Sequence, residues 1–133
     1  MTSETTELDL ASSTLASGRV VIEASAGTGK TYALTVLAVR HIAETDLTAD
    51  QLLMVTFTKA ATAELRHKTR ERAQEAIDCL RTGTQTETWM NSMFATPETR
   101  EKASQRLTIF ISQFDETTIT TIHGFCQIVL SRI

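Results

Sequence analysis

An α/β fold with a parallel sheet is predicted by two features of the sequence. Short apolar or β-branched runs occur at residues 20–22 (VVI), 52–57 (LLMVTF) and 117–122 (TTITTI), and the stretches between them carry helical periodicity. The first two runs are continuous rather than alternating, as expected of strands covered on both faces. The predicted order is β-α-β-α-α-β-α, in which strand, helix and strand form a crossover unit.

Each element has its own justification. Residues 1–18, rich in Ser, Thr and acids, read as a flexible lead-in, with structure beginning near Arg19. The first run, residues 20–22, is a strand ending in Ala24-Ser25-Ala26-Gly27. A helix over residues 30–44 follows, apolar almost all round and therefore heavily buried. The second strand, residues 52–57, leads into a long helix over residues 59–81 whose core face is Leu65, Ala73, Ala76, Ile77 and Leu80. Its charged faces, including Arg66, Lys68, Arg70 and Arg72 with interleaved acids, read as a solvated ion-pair surface, with Glu64 and Lys68 an i, i+4 pair.

Trp89, Met90, Met93 and Phe94 have helical spacing and predict a short packing helix inside an insertion. Thr96-Pro97-Glu98 starts the next helix, with Pro at the first helical position, and Ala103, Leu107, Phe110, Ile111 and Phe114 form its buried stripe. The third strand, residues 117–122, is followed by His123-Gly124-Phe125 and a terminal apolar helix over residues 126–133.

Composition narrows the class. With 133 residues, 41% hydrophobic and 22% charged, one Pro and five Gly, the chain fits one ordinary globular domain and excludes collagen, low-complexity and disulfide-scaffold classes. Cys79 and Cys126 lack C-x-x-C spacing and read as plain buried or half-buried thiols, and the scattered His41, His67 and His123 indicate no zinc site. The longest nearly apolar stretch, residues 33–39, is far short of the ~20 residues of a bilayer span. The acidic start lacks the basic and apolar regions of a secretory signal, so the expected location is cytoplasmic. The net charge of −3 resides in residues 1–23, while the remainder is balanced. Global charge therefore neither predicts nor excludes a nucleic-acid partner.

Ala24, Ser25, Ala26, Gly27, Thr28, Gly29, Lys30 and Thr31 lie after a strand and before a helix, the setting of a phosphate-binding loop, with only the usual first Gly missing. Gly27 and Gly29 let the backbone curl so that successive N–H groups and the helix N-terminus point at phosphate oxygens. Lys30 is expected to reach the β and γ phosphates, and the Thr31 hydroxyl to ligate the Mg²⁺ that bridges them. The implied ligands are ATP and Mg²⁺. Such a loop does not by itself distinguish among kinase, GTPase, motor and helicase.

Three segments taken together are more specific. V-I-E-A-S-A-G-T-G-K-T-Y, then L-M-V-T-F-T-K-A-A-T-A-E-L-R, then T-I-H-G-F-C-Q resemble superfamily-one helicases of the UvrD/Rep class, most of all its RecB-type (exodeoxyribonuclease V beta) branch. The resemblance covers residues 19–133, in order and spacing. It implies a P-loop NTPase, RecA-like three-layer fold whose parallel sheet is incomplete here, with residues 19–133 forming part of a first motor domain. It also implies that the second and third segments hold single-stranded DNA through Thr56, Phe57, Thr58, Lys59, His123, Gly124 and Phe125. The residue types suit that task, as hydroxyls and helix-opening N–H groups bond phosphates and aromatic rings stack on bases. For Phe57 a core position is an equal alternative, and for His123 and Phe125 a core position is a second reading.

The acidic motif that such a helicase needs is missing, since Asp115-Glu116 precedes a strand instead of ending one. The chain therefore reads as the amino-terminal piece of a longer enzyme, binding nucleotide without turning it over. The resemblance further implies translocation on single-stranded DNA, duplex unwinding, double-strand-break processing, a nuclease domain and partner chains of the RecC-like and RecD-like kind. An unpaired sheet edge predicts self-association of the isolated chain. The alternatives are a non-catalytic DNA-binding or assembly module and a small P-loop kinase. The kinase would leave the T-F-T-K-A-A and T-I-H-G-F segments unexplained.

Overall fold

The computed structural model describes residues 8–12, 15 and 29–133. The predicted first strand, residues 20–22, lies outside them. Helix α1 spans Lys30–Glu44, strand β1 Leu53–Thr56, α2 Lys59–Thr82, α3 Pro97–Ser112, strand β2 Thr118–Thr121 and α4 Ile122–Ser131. Short 3₁₀ turns at Ala49–Gln51, Thr88–Met90 and Phe114–Glu116 connect them.

The two strands form a parallel sheet among the described residues, with Leu53 opposite Thr118, Met54 opposite Ile119, Val55 opposite Thr120 and Thr56 opposite Thr121. Residues alternate between the two faces of a strand. Met54 and Ile119 are accordingly buried, while Leu53 and Val55 on the opposite face are exposed. The expectation that residues 52–57 are covered on both faces is thus corrected. The run is almost wholly apolar, but only its Met54 side meets the described core, where Thr69 Oγ1 of α2 lies 3.8 Å from Met54 Sδ.

The core lies among α1, α2 and α3, which pack pairwise against one another. The five predicted core positions of α2 are all buried, joined by Thr69 and Cys79. Thr69 lies in this apolar layer at no polar cost, because its hydroxyl donates to the Leu65 carbonyl at 2.7 Å. Trp89, Met90 and Met93 close one end of the core and are buried, as their spacing predicted, although the helical part is a single 3₁₀ turn. Helix α3 opens at Thr96, whose hydroxyl accepts from Thr99 N at 3.1 Å, with Pro97 following. Phe110 and Phe114 meet edge to face, with ring centroids 5.5 Å apart.

Arg40 is 1% exposed and is the largest fully buried side chain. It pairs with Glu44 through Nε at 2.7 Å and Nη2 at 3.0 Å, and its Nη1 donates to the Leu10 carbonyl at 2.9 Å. The charge is matched bidentately, which is how a buried guanidinium is tolerated. The contact with Leu10 ties the turn at Asp9–Ser12 to the C-terminal part of α1.

Two further expectations are corrected. Helix α4 begins at Ile122, so His123, Gly124 and Phe125 belong to its first turn instead of preceding a helix that starts at residue 126. Cys79 is buried as expected, whereas Cys126 is exposed.

Candidate functional site

Two helix N-termini are set side by side by the parallel register. β1 and β2 end together at the paired residues Thr56 and Thr121, and each strand passes almost directly into a helix. Thr58 caps α2, its hydroxyl accepting from Ala61 N at 3.0 Å, and Thr121 caps α4 by accepting from Gly124 N at 3.0 Å. The unbonded N–H groups and the positive dipole ends of both helices thereby gather along one edge of the sheet. Lys59, exposed in the first turn of α2, adds a full positive charge, and neither helix has an acidic residue in its first turn.

The predicted hydroxyl ligands are not idle. Besides the Thr58 cap, Thr56 Oγ1 donates to the Thr58 carbonyl at 3.1 Å and lies against Thr62 Oγ1. Thr58 keeps its own proton to donate outward, because the cap uses only a lone pair. Phe57 projects between the strand end and this cap and is 88% exposed, which excludes the core position for it. His123 is exposed and Phe125 half-buried, so a fully buried core role is excluded for both. Gly124 is required by packing, since a Cβ there would lie 2.3 Å from Thr120 Oγ1. The seven residues predicted to hold single-stranded DNA thus come together along one edge.

Arg66, Lys68, Arg70 and Arg72, further along α2, are engaged within the protein. Arg66 donates from Nη2 to the Ile119 carbonyl at 3.0 Å, and Arg70 lies 5.5 Å from the Phe114 ring centroid. Lys68 stands 3.5 Å from Glu71 and does not form the predicted i, i+4 pair with Glu64. Arg72 pairs with Glu75 at 2.9 Å and stacks on Tyr32. Sequence reasoning missed these reaches to other elements, since it weighed each residue only against its helical neighbours.

The second half of the site opens α1. Ala24, Ser25, Ala26, Gly27 and Thr28 lie outside the described residues. Gly29 caps the helix with φ 84° and ψ 31°, a left-handed conformation that is costly for any residue with a Cβ. Among the described residues no side chain caps α1, and no acid stands in its first turn. Lys30 is exposed, and Lys30 and the Thr31 hydroxyl have no hydrogen-bond or ion-pair partner among the described residues. A helix end left uncapped, neighboured by a free cation and a free hydroxyl, fits an anion accompanied by a hard cation. Among the described residues, no group of three or more His, Cys, Asp or Glu side chains is placed to hold a metal ion elsewhere. No described helix is long and apolar enough to cross a membrane.

The Gly29 start of α1 and the paired caps at the strand ends are compatible with a helicase motor domain, and comparison with known families gives the class. Residues 5–133 match the UvrD/REP helicase N-terminal domain, and the chain belongs to that family. It is similar to RecBCD enzyme subunit RecB of Escherichia coli K12, with 40% identity over 123 residues, covering 86% of this chain and 10% of that protein. The RecB protein of Mycobacterium tuberculosis is 39% identical over 115 residues, covering 85% and 10%. That of Haemophilus influenzae is 37% identical over 126 residues, covering 84% and 10%. The chain thus spans about a tenth of the length of the RecB relatives it matches.

Proposed function

We propose that this chain supplies the nucleotide-binding start and part of the single-stranded DNA path of a RecB-like ATP-dependent helicase–nuclease in double-strand-break repair and recombination. Residues 19–133 would be part of its first RecA-like, P-loop motor domain, preceded by the lead-in 1–18. The observation that carries the reading is the register that aligns Thr56 with Thr121, which sets two capped helix N-termini, Lys59 and the exposed Phe57 along one edge. That edge has the phosphate donors and the stacking face that single-stranded nucleic acid needs.

At the α1 end, Gly29 and the first-turn N–H groups would bind phosphate, Lys30 would balance its charge and Thr31 would offer its hydroxyl to Mg²⁺. When bound, Mg²⁺ neutralises the β and γ phosphates. Ala24, Ser25, Ala26, Gly27 and Thr28 would complete the loop. No catalytic acid is assigned, so this segment is proposed to bind nucleotide but not to hydrolyse it. Translocation, duplex unwinding, exonuclease activity, RecC-like and RecD-like partners and a cytoplasmic setting are proposals for the whole enzyme, and the RecBCD subunit name of the relatives supports the partners among them.

The isolated chain is further proposed to self-associate. Leu53 and Val55 expose an apolar sheet face, and α4 leaves Ile122, Ile128, Val129 and Leu130 exposed. Light scattering over a concentration series should show mass growing with concentration, and a monomer at all concentrations would refute this.

Calorimetric titration of Mg-ATPγS into the chain and into Lys30→Ala tests the nucleotide reading, with saturable binding expected only in the former. If no nucleotide binds while a labelled oligothymidine still does, the non-catalytic DNA-binding module replaces the motor reading.

A further inference from the structure

Tyr32 directly follows Lys30 and Thr31, and its ring joins this first turn to another element. The guanidinium carbon of Arg72, on α2, lies 4.7 Å from the Tyr32 ring centroid. The guanidinium is itself held, because Nη1 donates to Glu75 Oε2 at 2.9 Å and the Arg72 side chain is 20% exposed. Its Nε is buried with no hydrogen-bond partner among the described residues. An orphaned buried donor costs stability, so the group is kept over the ring by stacking and the Glu75 pair, not by hydrogen-bonding on all sides.

The position of the stack gives it a consequence. The first turn of a helix has no i−4 carbonyls to bind its N–H groups and frays first. Among the described residues α1 has no side-chain cap to oppose this, and the first hydrogen bond that closes it runs from Ala33 N to the Gly29 carbonyl at 3.0 Å. A cation clamped on Tyr32 from a 24-residue helix opposes the same fraying from outside.

We propose that Arg72 is a positioning residue for the nucleotide site, acting through the Tyr32 ring to hold the first turn of α1 in its phosphate-ready form. This rests on the nucleotide reading above. Loss of the stack lowers the fraction of molecules whose first turn is competent, and apparent affinity falls by that fraction. The stack also joins the turn that carries Lys30 to α2, the helix capped by Thr58 and opened by Lys59.

The test is a double-mutant cycle in Mg-ATPγS affinity with Arg72→Ala, Tyr32→Ala and the pair, alongside Arg72→Lys and Tyr32→Phe. Each alanine variant should weaken binding about fivefold, a cation–π-sized effect, and the double variant no more than either alone. Tyr32→Phe, which keeps the ring face, should bind as the parent does. Amide exchange of Ala33 and Leu34 should quicken in Arg72→Ala while that of Val39 and Ile42 stays unchanged, a local change that general destabilisation would not produce. Arg72→Gln and Tyr32→Leu, which remove the cation and the ring face with less loss of packing, take the place of an alanine variant that fails to fold. Additive losses, or unchanged affinity while Lys30→Ala abolishes binding, would overturn the proposal alone. Absence of Lys30-dependent binding in the parent chain would overturn the nucleotide reading and the proposal with it.

Discussion

The three-helix core and the strand-end edge are built on opposite terms. In the core, Val36, Ala73, Met90 and Leu107 are fully shielded from water, and even Arg40 and Thr69 have partners that satisfy them. At the edge, Phe57 is almost fully solvated, Lys59 and His123 are exposed, and α4 contains no buried residue. Free energy of folding is concentrated where apolar area leaves water, so the edge contributes little beyond its two caps. A region that holds aromatic and cationic groups in water without stabilising the fold is available for a ligand, which is the lesson of the contrast.

The contrast is broken most severely from the core side. Phe110→Ala removes a 2% exposed ring and its edge-to-face contact with Phe114, and is expected to cost about 3–5 kcal/mol. Urea denaturation checks it, and a loss below about 1 kcal/mol would mean the core is not the source of stability.

Gly124→Ala comes next and probes the one place where the edge itself is tightly packed. The new methyl would meet Thr120 Oγ1 at 2.3 Å, in the strand beside the Thr121 cap. An overpacking cost of about 1–3 kcal/mol is expected. Thr120→Ala removes the opposing oxygen, so the double variant should recover most of the loss. Failure to recover would locate the cost in the helix backbone.

Much of this contrast was legible in the sequence, and unevenly so. The α1 span and the Thr96-Pro97 start of α3 were readable because periodicity and capping are local. The beginning of α4 was not, since a Gly within H-G-F lowers helix propensity and puts the predicted helix start after it, whereas the small size of Gly124 serves close packing on Thr120 within a helix. Residues 52–57 read as doubly buried because an apolar run carries no record of which face is covered. For the site, the sequence brought each segment's residue types into view, but the Thr56–Thr121 alignment depends on strand register, which no local pattern states. Arg72 on Tyr32 and Arg40 on Leu10 link distant segments, and a charged helical residue viewed alone suggests only its i, i+3 and i, i+4 neighbours.

Phe57→Ala sharpens the comparison from the other side, with the smallest effect on folding. A ring 88% exposed loses almost no burial on truncation, so the stability read from urea denaturation should shift by no more than about 0.5 kcal/mol. Stacking of one base on an aromatic face contributes about 1–3 kcal/mol, so anisotropy with a labelled oligothymidine should show affinity falling roughly five- to hundredfold. Phe57→Trp, which keeps a stacking face, should retain binding, whereas Phe57→Leu, apolar but without one, should resemble alanine. Equal affinity in all four proteins would leave the hydroxyls, Lys59 and the two helix ends to hold the strand by its phosphates alone, and the edge would then be a backbone-binding surface with no base platform.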